Sequence, residues 1–380
     1  MTGERQYGIY NYEILIRQKE EKRKKMYLKK ALATAIIFIL CALQTGCGSR
    51  FTDKGEPGDA EEETAGDHII VGFSQLGAES DWRSENTNSM KSSFTEENGY
   101  ILIFEDGQQK QANQIRAIRM FIQQEVDYIV LAPVMETGWD TVLQEAKDAG
   151  IPVIIVDRKV DVSDDSLFTC WVGSDFELEG KKAAEWLNQY AQAKGIAPED
   201  IHIVNIQGTK GSSAQIGRTK GLADAARANG WDLMAEVIGD FTRAKGKEVM
   251  ESLLKQYNNI NVVYCENDNE AFGAIEAIEA AGRKVGSDIT DGEIMVISFD
   301  GVNEEAIRYI LEGKITCIAE CNPLHGPRVQ AIIELLEEGG TPEKRQYVDE
   351  EIYSANGTVN SLTIDGIDYA VTILAQEDGN

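Results

Sequence analysis

The sequence predicts an α/β protein of two doubly wound parallel-sheet lobes, and three observations carry that prediction. From His68 onward, short continuous Val/Ile-rich runs alternate with stretches of helical period. Runs that are apolar without a break are buried on both faces, as strands of a parallel sheet covered by helices are. Several helical stretches close on glycine just before the next run, as at Gly150-Ile151, which is a C-cap signal. Eleven such runs exceed one comfortable sheet, and 380 residues suit two lobes.

The N-terminus precedes this pattern. Lys22, Arg23, Lys24, Lys25, Lys29 and Lys30 stand before an uncharged run from Ala31 to Gly46 (ALATAIIFILCALQTG). A positive flank followed by a short apolar stretch has the form of a signal peptide over residues 1–46, and sixteen residues are short for a spanning helix. Met26 is an alternative start that would give a compact signal. Cys47, after Thr45-Gly46 and before Gly48-Ser49, resembles the lipidated cysteine of bacterial lipoproteins, although Gln44 stands where that motif usually has Leu. The expectation is lipid attachment at Cys47, which tethers the body to the outer face of the cell membrane by acyl chains. A plain cleaved signal or an uncleaved anchor are the alternatives. After the cysteine, residues 48–67 (GSRFTDKGEPGDAEEETAGD) are acidic and without apolar period, a disordered tether.

The runs then read HIIVGFS, YILIFED, YIVLAPV, IPVIIVDR and FTCWVGS, followed by IHIVNIQG, LMAEVIGDF, NVVYCEND, IMVISFD, ITCIAEC and EEIYS. Helical stretches such as ANQIRAIRMFIQQE, LEGKKAAEWLNQYAQAKG and EAFGAIEAIEAAG lie between them. We expect one lobe from residues 68–173 plus 321–350 and the other from 174–320 plus 351–356, with crossings near Ser174, Glu320 and Glu350. The tail 357–380 holds two further runs, TVNSLTI and DYAVTILA, suited to an extra hairpin or an edge strand.

Charge and composition exclude several classes. The net charge is −27, and residues 47–380 carry 28 basic and 60 acidic side chains. Such a body repels nucleic acid and gains nothing from long-range steering of an anionic ligand, so the ligand expected is neutral. No GxGxxG follows the first strand and no GxxxxGK[ST] occurs, so a nucleotide has no motif support. His68, His202 and His325 are scattered and no CxxC occurs, so neither zinc nor another cofactor is expected. Cys317 and Cys321, four apart in an apparent strand, are too far apart to bridge, and Cys170, Cys265, Cys317 and Cys321 read as buried thiols.

In open parallel sheets, ligands sit beyond the C-terminal ends of the strands. The residues ending the runs include Gln75, Asp157-Arg158, Glu266-Asn267-Asp268, Asp300 and Glu320, mostly carboxylates, amides and a guanidinium rather than nucleophiles. Each hydroxyl of a polyol donates and accepts, and planar polar groups of these kinds satisfy both roles. Aromatic rings would stack on the C–H face of a sugar. Taken singly, each residue has a plainer reading: Asp157-Arg158 an ion pair, Asn267 a helix cap, Asp300-Gly301 a turn.

The strand ends also carry a resemblance. VDRKVD at 156–161, NIQGTKGSSAQIGRTKG at 205–221, GDFTRAKGKEVM at 239–250, YCENDNEAFGAIEAI at 264–278 and SFDG at 298–301 resemble the ribose-type sugar-binding proteins of ABC importers. Within that family, SQLGAESDWRSENT at 74–87, EDGQQKQANQIRAIR at 105–119 and APVMETGWDTVLQEAKDAGIPV at 132–153 look like its galactofuranose-binding members. The resemblance runs from about His68 to Ser354. It implies the periplasmic binding protein type I fold, two lobes with a hinge, gripping a monosaccharide without catalysis and delivering it to an ABC permease, as a monomer. It makes Asp157, Arg158, Arg218, Asn267 and Asp300 partners of the sugar hydroxyls and Glu320 a further one. It also makes Trp82 a stacking ring with Arg83 beside it, and Phe241 an aromatic wall. Gln75 and Glu79, in the first loop, would reach a longer exocyclic chain. Two other functions remain open: a sensor that presents sugar to a membrane receptor kinase, and a glycosidase built on Asp157 and Asp300. Against the latter, an arginine beside Asp157 would lower its pKa and spoil a general acid.

Overall fold

The computed structural model describes residues 68–375. The expected signal peptide, Cys47 and the acidic tether lie outside the described residues. Strands β1 (Ile69–Gln75), β2 (Tyr100–Asp106), β3 (Tyr128–Leu131), β4 (Val153–Val156) and β5 (Cys170–Gly173) fall on the first five apolar runs. The next five runs form β6 (His202–Gln207), β7 (Asp232–Ile238), β8 (Val262–Cys265), β9 (Met295–Asp300) and β10 (Cys317–Glu320). A short strand that the sequence pattern does not announce, β11 (Arg345–Tyr347), precedes β12 (Ile352–Ser354), the eleventh run. The tail adds β13 (Ser361–Ile364), β14 (Ile367–Ala370) and β15 (Thr372–Ile373).

These strands form two larger sheets. The first has the order β11-β5-β4-β3-β1-β2 and is parallel throughout. The second has the order β15-β12-β10-β9-β8-β6-β7, parallel except where β12 runs against β10. The chain passes between the sheets three times: after β5, after β10, and between β11 and β12. β13 and β14 make an antiparallel hairpin, while β15 extends the second sheet beside β12.

Among the described residues, nine longer helices cover the sheets: α1 (Asp81–Ser93), α2 (Gln111–Gln123), α3 (Asp140–Asp148), α4 (Phe176–Lys194), α5 (Ser213–Asn229), α6 (Arg243–Gln256), α7 (Asp268–Ala280), α8 (Glu304–Leu311) and α9 (Gly326–Glu337). Period-two alternation sorts each strand between two cores. On one face of the first sheet Val71, Phe73, Val130 and Ile154 pack with Met90 of α1 and Val329 and Ile333 of α9. On the other, Ile129, Leu131, Val153 and Ile155 pack with Ile118, Phe121, Val142 and Leu143 of α2 and α3. The second sheet repeats the plan, with Tyr264, Ile297 and Phe299 against α4 and α5, and Val263, Val296 and Ile318 against α6, α7 and α8. Leu362 of the tail hairpin is fully buried in the core beside α4, so the hairpin is part of the fold.

Cys170, Cys265, Cys317 and Cys321 are free and buried. Trp139, Trp171 and Trp231 are buried in the packing. No helix among the described residues is long and apolar enough to cross a membrane.

Candidate functional site

The strand ends of the two sheets face one another across a narrow cavity. Its wall is drawn from both lobes, and a small apolar set, Trp82, Phe176, Ala214, Phe241 and Cys321, packs across the gap.

The first lobe supplies an interlocked group of two arginines and two carboxylates. Ser80 caps α1, its Oγ accepting from the Arg83 backbone N–H at 3.2 Å, and this first turn presents Trp82 and Arg83. Arg83 Nη2 donates to Asp157 Oδ2 at 2.5 Å and its Nε to Glu79 Oε1 at 3.3 Å. Arg158 Nη2 reaches the same Glu79 oxygen at 3.2 Å, and its Nη1 donates to the Val134 carbonyl at 3.0 Å. All four groups are nearly inaccessible to solvent, so each charge depends on its neighbours. Burial pushes Asp157 up, but Arg83 and Arg158 outweigh it and hold this carboxyl below its ordinary value. Burial drives Arg158 down to about 10, against the pull of Glu79. Asp157 sits at φ 61°, left-handed for a non-glycine, with the Trp171 indole N–H on its carbonyl at 2.9 Å. Glu79 Oε2 and Arg83 Nη1 are buried with no hydrogen-bond partner. Buried polar atoms left unpaired are rare in folded proteins and ask for an explanation.

The second lobe is organised around Arg218 on α5. Gly180 and Gly221 let α4 and α5 approach so closely that a Cβ on Gly221 would lie 2.5 Å from the Gly180 backbone. This contact brings Glu179 of α4 to Arg218, with Nε donating to Oε2 at 2.7 Å. Arg218 Nη2 donates to Asp300 Oδ1 at 3.3 Å, and its Nη1 to the Glu266 carbonyl. Burial lowers the Arg218 pKa, yet Glu179 and its other anionic neighbours raise it well above the ordinary value, so the guanidinium stays charged. Asn267 combines two roles: its Oδ1 caps α7 by accepting from the Glu270 N–H at 2.8 Å, and its Nδ2 donates to the Phe241 carbonyl at 3.0 Å. Asp240, Phe241 and Asp300 have φ of 56°, 60° and 96°, so three more residues at strand ends hold left-handed backbone. Strained conformations of this kind concentrate at functional sites. Burial raises Asp300 well above its ordinary range, opposed by Arg218 and reinforced by Asp268, while Glu266 and Asp268 beneath it are raised by burial to about 7.

Of the residues singled out in the sequence, nine line this cavity: Glu79, Trp82, Arg83, Asp157, Arg158, Arg218, Phe241, Asn267 and Asp300. Two do not line it. Gln75 is fully buried behind the cavity, its amide donating to Asn86 Oδ1 and Thr87 Oγ1, each at 3.0 Å, so it braces α1. Glu320 faces the third crossing, where its Oε2 accepts from the Glu351 N–H at 2.8 Å. Cys321, the next residue, takes the place in the cavity wall, because neighbouring residues of an extended chain face opposite ways. Ser80, Phe176, Ala214 and Cys321 line the cavity although the sequence analysis did not single them out. Phe176, Ser80 and Ala214 had a signal, each at or beside the start of a helix that follows a strand; Cys321 had none.

Comparison with known proteins places the chain. Residues 71–331 match the periplasmic binding protein domain. The chain belongs to the periplasmic binding protein family. It is 43% identical over 290 residues to the galactofuranose-binding protein YtfQ of Escherichia coli (strain K12), covering 75% of this chain and 87% of that one. A structure from Mycobacterium smegmatis in complex with β-D-fucofuranose is 41% identical with a TM-score of 0.70, over 75% of this chain and 91% of that one. The binding component of the arabinose ABC transporter from Shewanella sp. ANA-3, bound to α- and β-L-arabinofuranose, is also 41% identical, with a TM-score of 0.68 over 74% of this chain and 91% of that one. The two-lobed α/β architecture expected from the strand pattern is thus the architecture of this family, and the Escherichia coli and Shewanella relatives are named as binding proteins.

Proposed function

We propose that this protein is an extracytoplasmic solute-binding protein. Its lobes close on one monosaccharide, a furanose form of galactose or a close relative, and deliver it to an ABC permease without chemical change. The observation that carries this is the balance of the cavity wall: three guanidinium groups (Arg83, Arg158, Arg218) against three carboxyl groups (Glu79, Asp157, Asp300), with an amide at Asn267 and rings at Trp82, Phe176 and Phe241. A wall with matched numbers of guanidinium and carboxyl groups suits a neutral polyol. Its forks and carboxyls supply the paired donors and acceptors that hydroxyls need, and its rings suit a sugar's C–H face. Relatives that bind galactofuranose, fucofuranose and arabinofuranose support the five-membered ring. An ionised Asp157, held down by two arginines, is a poor proton donor, which supports binding over glycoside hydrolysis.

Calorimetry against D-galactose, D-fucose, L-arabinose and D-ribose tests the assignment. Heat is expected with at least one sugar that populates a furanose ring, and silence with all four sinks it. We propose further that Cys47 carries the lipid anchor and that the protein acts as a monomer. Radiolabelled palmitate should then enter the wild-type chain and not Cys47→Ala, and light scattering of the body should give the mass of one chain.

A further inference from the structure

The three crossings between the lobes meet at one carboxyl group. Glu350, on the third crossing, accepts through Oε1 from Ser174 Oγ on the first at 2.6 Å and from the Asn322 backbone N–H on the second at 2.7 Å. Donor atoms of Glu350, Cys321 and Glu179 lie within 4.8 Å of one another. Glu179 is 2% exposed; its Oε2 accepts from Arg218 Nε, while its Oε1 is buried without a hydrogen-bond partner. A continuous line of contacts therefore joins the crossings to Arg218 in the cavity wall.

Two carboxylates so near each other, Glu179 buried and Glu350 half-buried, cannot both be ionised without a desolvation and repulsion cost. Something positive must sit between them. Arg218 already faces Glu179 at 2.7 Å, so its full charge would repel a metal ion there, whereas a proton needs no further coordination. We propose that Glu179 and Glu350 share one proton and act as positioning residues: the protonated pair holds the three crossings together and fixes Arg218 in its place at the cavity. The second half of this proposal rests on the cavity being a sugar site; the first half does not.

The groups facing the pair are few. Arg218 and Cys321 face Glu179, Glu320 adds negative charge on the Glu350 side, Asp300 lies beyond Arg218, and Lys182 Nζ donates to the Glu350 carbonyl at 2.7 Å. Burial is the main cause that raises both carboxyls; Arg218 opposes it at Glu179, and Glu179 itself adds to it at Glu350. Since the folded value is raised, the stabilisation from the shared proton is complete below the ordinary carboxyl pKa of about 4.3. It is lost as pH rises through the pair's raised value.

Thermal unfolding of the ligand-free protein from pH 6 to pH 9, together with calorimetry using D-galactose, tests the proposal on wild type, Glu350→Gln and Glu179→Gln. In Glu350→Gln the side-chain oxygen still accepts from Ser174 and Asn322 and the new amide donates towards Glu179, so the variant mimics the protonated state and cannot ionise. Its Tm is expected to fall over this range by roughly 2–4 °C less than that of wild type, and its affinity for D-galactose to vary less with pH. Glu179→Gln is expected to bind D-galactose more weakly, about tenfold, at every pH, because Arg218 loses its anionic partner. Parallel Tm profiles of wild type and Glu350→Gln overturn the shared proton, as does an increase in wild-type Tm with micromolar Zn²⁺ that EDTA reverses. On the wild-type chain alone, amide exchange corrected for intrinsic rate should show the hydrogen-bonded amides of Cys321, Asn322 and Glu351 losing protection as pH rises while β3 keeps it. Unchanged protection at the crossings also overturns it. The unfolding arm uses no sugar, so a normal pH difference with no D-galactose binding would count against the sugar assignment alone.

Discussion

The two lobes meet the same cavity with different electrostatic designs. In the first, Arg83 and Arg158 balance Glu79 and Asp157 one for one, and Asp157 is held below its ordinary pKa despite complete burial. In the second, one arginine, Arg218, stands among Glu179, Glu266, Asp268, Glu270 and Asp300, and burial raises every one of these carboxyls. Asp157 of the first lobe therefore stays charged across the physiological range, while Glu266 and Asp268 of the second titrate at about 7. Burial alone does not decide the direction of a carboxyl's shift; the local count of guanidinium groups does.

Removing a cation from each lobe should expose this difference most strongly. Arg218→Ala leaves several carboxyls buried with no cation in contact, and should cost about 3–5 kcal/mol of stability as well as binding. Arg158→Ala leaves Arg83 still paired with Glu79 and Asp157, so its main loss should be affinity for D-galactose, roughly 100-fold or more, equivalent to about 2.7 kcal/mol. Urea unfolding and calorimetry on both variants measure the contrast, and equal stability losses would remove it.

Next in size is the dependence on pH. Glu266 and Asp268, raised to about 7, stabilise the fold most below the ordinary carboxyl range, and that contribution is lost as pH rises through about 7. Asp157, with its lowered value, behaves oppositely: its contribution is present above the ordinary carboxyl pKa and is lost as pH falls through the lowered one. The urea midpoint should therefore fall between pH 5 and pH 8, and Asp268→Asn should reduce that fall, whereas Asp157→Asn should leave it unchanged. Asp268 also accepts from Ser298 Oγ at 2.7 Å and the Gly301 N–H at 2.8 Å, so the variant will be less stable at pH 5 by about 1–3 kcal/mol.

The smallest expected effect lies on the seam between the lobes. The Trp82 indole N–H donates to the Cys321 carbonyl at 2.7 Å, from one side of the cavity to the other. Trp82→Phe keeps a ring and removes that bond, so affinity for D-galactose should fall by about 1 kcal/mol, near fivefold, with the unfolding midpoint little changed. A stability loss as large as that of Arg218→Ala would show that Trp82 belongs to the core rather than to the closure.

The strand pattern by itself determined the α/β architecture, because a strand buried on both faces must be apolar at every position and so announces itself. All eleven runs are strands; β11, with the sequence RQY, is the exception, since an edge strand held mainly by backbone pairing to β5 needs no apolar signature. The order of strand ends likewise made most of the cavity wall legible, from Asp157 to Asp300. What the tertiary structure alone decided is which way each side chain turns at the end of its strand. Gln75 and Glu320 sit at strand ends as Asp157 does, yet one braces α1 and the other faces the third crossing, while Cys321 lines the cavity. A residue's place along its strand follows from local pattern, but its facing depends on where the chain turns. The convergence of Ser174, Glu179, Cys321 and Glu350 brings together residues up to 176 positions apart, which no local pattern encodes.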